Sequence, residues 1–201
     1  NGGHHVGAGG RNTIAAGFGD TAVAAFGVGA RIEPIATLIV LAMSSSLPPL
    51  ISQNFGANRL DRVQEAYRMS IKFVLGWQLL VYLFLAAGSP LIATLFSDDP
   101  AVTDTIMLFV WIMPLGYGLQ GIIILTNSSL NALHRPLNAL YLSLARFFVF
   151  YVPLAYAGSK LFGIWGFFAG AVAGNLLMAT ISWRTFNSAL QSEQRLLAET
   201  A

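Results

Sequence analysis

The 201-residue chain contains no cysteine, which excludes a disulfide framework and any thiolate metal site. Charge is nearly as scarce: Asp, Glu, Lys and Arg make up 10% of the residues, against roughly 25% in soluble domains. The net charge of +2 is small, and the basic residues sit between apolar runs instead of along one face, which argues against a nucleic-acid partner. Enzyme signatures are missing as well. There is no paired-histidine metal motif, no Gly-x-Ser-x-Gly and no pair of intramembrane aspartates, so the reading is of a non-enzyme without metal or cofactor. The opening NGGHHVGAGGRN has neither the apolar core nor the basic leader of a signal peptide. Residues 1–19 are therefore read as a linker or the remnant of an external loop.

Apolar sequence is what remains. Hydrophobic residues make up 55% of the chain and the mean hydropathy is +0.64, the composition of a protein dissolved in lipid. The apolar runs are long and do not alternate, so they read as helices and not as barrel strands. Five spans are expected, near Thr21–Ser52, Tyr67–Phe96, Thr103–Leu130, Leu137–Tyr156 and Ile164–Phe186. The first is longer than the ~20 residues a bilayer needs, which predicts a bend at Pro34 or at Pro48–Pro49. Residues 20–187 are then a membrane bundle and 188–201 a cytoplasmic tail.

Orientation follows from Lys and Arg, which cytoplasmic loops retain. Arg59, Arg62, Arg68 and Lys72 follow the first span; Asp98, Asp99 and Asp104 follow the second without a base; His134 and Arg135 follow the third; Arg184 and Arg195 attend the fifth. The basic loops and the C-terminus are placed in the cytoplasm, and parity puts the start of the first span outside. An outside start with an odd number of spans leads to the expectation of a further helix upstream. In NRLDRVQEAYRM, Asn58 is the expected helix cap, with Asp61 and Glu65 near the positive end of the dipole.

Arg31 and Glu33 stand about 12 residues into the first span, near mid-bilayer at ~1.5 Å per residue. Each costs at least about 2.5 kcal/mol there. Two residues apart, they point about 200° from one another, so they cannot pair on one helix. Two readings stay open: a hydrated path in which Glu33 binds a proton or cation and Arg31 regulates it, or a structural role for both. Met43, Tyr117, Gln120, Asn127 and Asn175 are candidates for a substrate cavity, because lipid cannot satisfy such polar groups and Met adapts to many shapes. Met113, Trp111 and Phe147 could line the same space. GYGLQG spells a dinucleotide fingerprint but lies in an apolar helix with no preceding strand, so its glycines are read as packing surfaces. Gly166, Gly170 and Gly174 form a small-residue ridge suited to packing within the bundle, or alternatively to homo-oligomerisation.

GVGARIE, continuing to PLISQNFGANRLDRVQEA, resembles the second half of MATE transporters, the multidrug and toxic compound extrusion family, and its DinF-like branch in particular. The matching residues are Gly29, Arg31, Glu33, Gln53, Asn54, Gly56 and Ala57. MPLGYGLQGI and SLNALHRP are similar to the family's tenth helix and the loop after it, with His134 where a glycine is usual. The resemblance runs from Ala15 to Phe186. It implies an all-α polytopic bundle whose five spans form most of one six-helix lobe, with an N-terminal lobe as partner. It also implies efflux of small amphipathic or cationic compounds against H⁺ or Na⁺, in a bacterial inner membrane. The alternative is a membrane module that does not transport and self-associates through the glycine ridge.

Overall fold

The computed structural model describes residues 19–201; the reading of residues 1–18 lies outside them. All regular structure among the described residues is helical. The helices are α1 (Asp20–Ala36), α2 (Leu38–Gly56), α3 (Leu60–Ala87), α4 (Ser89–Phe96), α5 (Pro100–Ile112), α6 (Leu115–Ala132), α7 (Pro136–Ala145) and α8 (Val152–Thr200), with a π-helical segment Arg146–Tyr151 between the last two. By length and apolarity two described stretches can cross a bilayer, Leu60–Ala87 and Pro136–Thr200, or up to four if each bent pair counts as one span.

The long stretch is not straight. Gly163 adopts φ 71° and ψ −145° inside α8, a conformation open to glycine and costly for other residues. The chain reverses there. A Cβ on Gly166 would strike the Gly158 backbone, one on Gly170 the Leu154 backbone, and one on Gly174 the Phe150 backbone. Each step of four residues along one arm moves four back along the other, the signature of antiparallel helices in backbone contact. The glycine ridge is thus used within the chain, and the surface a self-associating module would need is covered.

The first predicted span is the bent pair α1–α2, at 42°. The bend falls at Thr37, and Pro48 and Pro49 sit inside α2 without a break. Pro34 removes one backbone donor from the last turn of α1. Thr37 completes the bend, since its N–H and its hydroxyl both donate to the Glu33 carbonyl, at 2.9 and 2.7 Å, and such back-bonding bends helices. The Ala36 carbonyl, released by the bend, accepts from Gln78 Nε2 on α3 at 2.8 Å. The third predicted span is likewise a bent pair, α5–α6, at 45°, broken before Pro114. Gly118 and Gly121 of α6 sit against Gln78, Leu75, Val74 and Val40, which bears out the packing role of GYGLQG.

Two turns share one construction. The Arg59 N–H donates to the Asn54 carbonyl and the Asn58 N–H to Phe55; the Arg135 N–H donates to Leu130 and the His134 N–H to Asn131. These are the paired bonds of a Schellman motif, with Asn58 at φ 58° and His134 at φ 60°. Asn58 therefore ends α2 instead of capping α3, which corrects the sequence expectation. His134 occupies a left-handed position that glycine fills at least strain. Over the predicted tail from residue 188, α8 continues to Thr200, and Ala189 and Leu190 are buried in the core.

The interior divides into two apolar clusters. One is built around Val40, Ile51, Tyr67, Leu125, Met178 and Phe186, the other around Val28, Phe109, Val110, Phe167 and Phe168. Outward faces are also apolar. On α3, Phe73, Leu79, Leu80, Leu83 and Phe84 are exposed, and 22% of its apolar window is buried, a face that water would penalise and lipid accepts.

Substituting Gly170→Leu forces the two arms of the reversal apart, and a loss of about 1–3 kcal/mol or more is expected. Thermal unfolding in detergent should show a lower midpoint at unchanged oligomeric state. Gln78→Leu leaves the Ala36 carbonyl without its partner and should cost about 1–3 kcal/mol in the same assay.

Candidate functional site

A cavity of about 550 Å³ opens where the helices are interrupted. Glu33 reaches it from the last turn of α1, four residues before the bend at Thr37. Met113, Gly116, Tyr117 and Gln120 reach it from either side of the break at Pro114. Arg146, Phe147 and Tyr151 reach it from the π-helical segment, and Phe167 and Asn175 close it from the second arm of α8. Three discontinuities in otherwise regular helices meet at one space. π-Helical insertions and broken membrane helices recur at functional sites because they turn side chains and backbone groups toward a cavity.

The lining is amphipathic and carries both charges. Glu33 is half-buried, and Arg146 supplies the opposite charge, its guanidinium 5.1 Å from the centre of the Phe147 ring. The Tyr117 hydroxyl and Asn175 Oδ1 are buried without a hydrogen-bond partner among the described residues, so both are available to a guest. Gly116 packs closely beside Asn175: a Cβ there would stand 3.1 Å from Asn175 Nδ2, so the amide would have to give by a few tenths of an ångström.

The structure assembles some of the predicted residues and separates others. Glu33, Tyr117, Gln120 and Asn175 line the cavity, joined by Met113 and Phe147. Arg31 does not line it. It is exposed and lies over the Phe96 ring at 5.6 Å, as expected for a residue about 200° around the helix from Glu33. Met43 packs against the larger apolar cluster. Asn127 Nδ2 donates to Ser143 Oγ at 3.0 Å, a bond between α6 and α7. Trp111 is exposed and donates from Nε1 to Ser89 Oγ at 3.0 Å.

The motif residues serve the scaffold. A Cβ on Gly29 would strike the Phe109 ring, while the carbonyls of Gln53 and Asn54 accept the N–H groups of Ala57 and Arg59 as the chain passes Gly56 and turns after α2. Arg146 and Gln78 were not singled out as site or scaffold residues. The signal that flags Glu33, a charge within an apolar run, is present at Arg146 as well, in YLSLARFFVF.

Comparison with known proteins fits this geometry. The MatE family model matches residues 12–157. A protein of Shewanella oneidensis named FAD transporter is 41% identical over 158 residues, 79% of this chain and 35% of its own length. The multidrug export protein MepA of Staphylococcus haemolyticus is 24% identical over 77% of this chain and 34% of its length. The crystal structure of the Vibrio cholerae MATE transporter VcmN in its bent form superposes with a TM-score of 0.86 at 37% identity, covering 91% of this chain and 42% of that one. An outward-facing MATE transporter of the MOP superfamily, 20% identical, shares the fold at a TM-score of 0.85. The chain thus spans about a third to two fifths of the length of these relatives. An all-helical, membrane-embedded bundle folded around a cavity at its own helix breaks, matched by that family model over most of its length, belongs to the MATE family of transporters.

Proposed function

We propose that the chain forms most of the C-terminal lobe of a secondary exporter that moves small amphipathic organic compounds against H⁺ or Na⁺ by alternating access. The observation that carries this reading is the meeting of Glu33 and Arg146 with unpartnered polar groups and aromatic rings in one cavity at three helix breaks. A carboxylate in such a place exchanges a proton or cation according to the side the cavity faces. Aromatic and Met surfaces accept greasy guests of many shapes. An N-terminal lobe, as in the longer relatives, supplies the opposite wall.

A second reading concerns substrate charge. Glu33 alone would favour organic cations, but Arg146 in the same lining offsets that field and offers the planar fork that suits phosphate groups. The relative named FAD transporter supports an anionic aromatic substrate such as a flavin nucleotide. The membrane reading places the protein in a bacterial inner membrane, with the C-terminus and the turns bearing Arg59 and Arg135 on the cytoplasmic side. This rests on the distribution of Lys and Arg.

In inverted membrane vesicles, Glu33→Gln should slow gradient-driven uptake about 5- to 150-fold, the usual range of one coupling interaction, while the yield of folded protein is unchanged. Equal slowing and loss of folded protein would instead mark Glu33 as structural. Arg146→Gln should reduce uptake of a flavin nucleotide and spare that of a cationic dye; the reverse pattern would reject the anionic substrate. Because the chain has no native cysteine, topology can be read from single replacements. A membrane-impermeant maleimide applied to whole cells should label Asp98→Cys and leave Gln194→Cys untouched.

A further inference from the structure

At the end of the bundle formed by the α6–α7 turn and the last turns of α8 lies a second concavity, of about 340 Å³, away from the central cavity. Its walls hold Arg135 and Asn138 from the start of α7, and Arg184, Ser188 and Ser192 from α8. The three α8 residues follow at spacings of four, which places them on one stripe of the helix facing α7. No carboxylate is among the residues lining it. Glu193 stands beside it and engages Arg135, whose Nη2 donates to Glu193 Oε1 at 3.0 Å. That pair offsets one of the two positive charges and holds Arg135 in place, leaving Arg184 as the excess charge.

We infer that this concavity binds a phosphate ester, held by Arg184 and Arg135 with hydroxyl donors from Ser188 and Ser192. Guanidinium groups engage phosphate oxygens through paired N–H donors, and the first turn of α7 adds the positive end of its dipole. A groove on α3 also holds two bases, Arg68 and Lys72, but Asp61 and Glu65 line it with them and cancel the field an anion would need.

Two sources carry a phosphate ester to this place. The first is an anionic phospholipid: Leu137 and Tyr141, exposed at 62% and 64% on α7 beside Asn138, offer a surface for acyl chains next to the headgroup. Basic pockets between membrane helices bind headgroups in this way. The second is a soluble phosphate compound reaching the same groups from water.

The test is native mass spectrometry of the purified protein in detergent, titrated separately with phosphatidylglycerol, phosphatidylcholine and inorganic phosphate. Phosphatidylglycerol should be retained in preference to phosphatidylcholine. Arg184→Gln should weaken that retention about fivefold, the effect of one base near an anionic headgroup, and Arg184→Lys should restore most of it. Ser188→Asp, which adds a carboxylate to the wall without touching either arginine, should weaken it as well. Arg184 is exposed, so these variants leave the core intact. Retention of inorganic phosphate that is equally sensitive to Arg184→Gln assigns the site to a soluble ester. Phosphatidylglycerol retained equally by the parent, Arg184→Gln and Ser188→Asp, with no inorganic phosphate bound, overturns the inference.

Discussion

Satisfying backbone polar groups where no water reaches them is the constraint on which this structure depends. In lipid an unbonded amide or carbonyl costs several kcal/mol, so every departure from regular helix needs a local replacement for the lost bond. The bend at Thr37 shows how this is met. Pro34 removes a donor, Thr37 doubles its bonding to the Glu33 carbonyl, and Gln78 reaches across from α3 to the Ala36 carbonyl. A buried glutamine in an apolar helix, otherwise a liability, is thereby explained by a carbonyl on its neighbour.

The same constraint locates the cavity. Breaks are tolerated where backbone faces protein or a polar space, and the bend between α1 and α2, the break at Pro114 and the π-helical segment all border one cavity. That convergence brings Glu33 and Arg146, more than a hundred residues apart in sequence, to the lining of the same space. Neither charge would be tolerable against lipid, and each gains a polar setting from the break beside it. A lining with one acid and one base has no strong preference of its own for either sign of guest. Shape, aromatic surface and the opposite lobe then weigh more in selecting what is carried.

Glycine supplies the second economy of the fold. Where Gly166, Gly170 and Gly174 meet the backbone of the preceding arm, side chains are absent from the contact, and dispersion between closely spaced backbones does the holding. Gly116 serves a different purpose, since it leaves room beside the Asn175 amide at the cavity wall. Glycines that look alike in the sequence therefore divide between scaffold and site only when their neighbours are known.

Much was decided by the sequence alone. Scarce charge and long unbroken apolar runs determine an all-helical membrane bundle, because no other solvent accepts them and no other regular element but a closed barrel satisfies its backbone there. The order GVGARIE to QNFGAN carried the family, and the intramembrane position of Glu33 marked it as exceptional. Tertiary structure decided the rest. Periodicity could not say that Arg31 turns to Phe96 while Glu33 faces the cavity, nor that Arg146 is its oppositely charged neighbour. Nor could it show that Met43 and Asn127 belong to packing, or that Asn58 and His134 take left-handed turns. Those outcomes depend on which faces of distant helices meet, and a helix records in its own residues only that a face is apolar or polar, not what it will be set against.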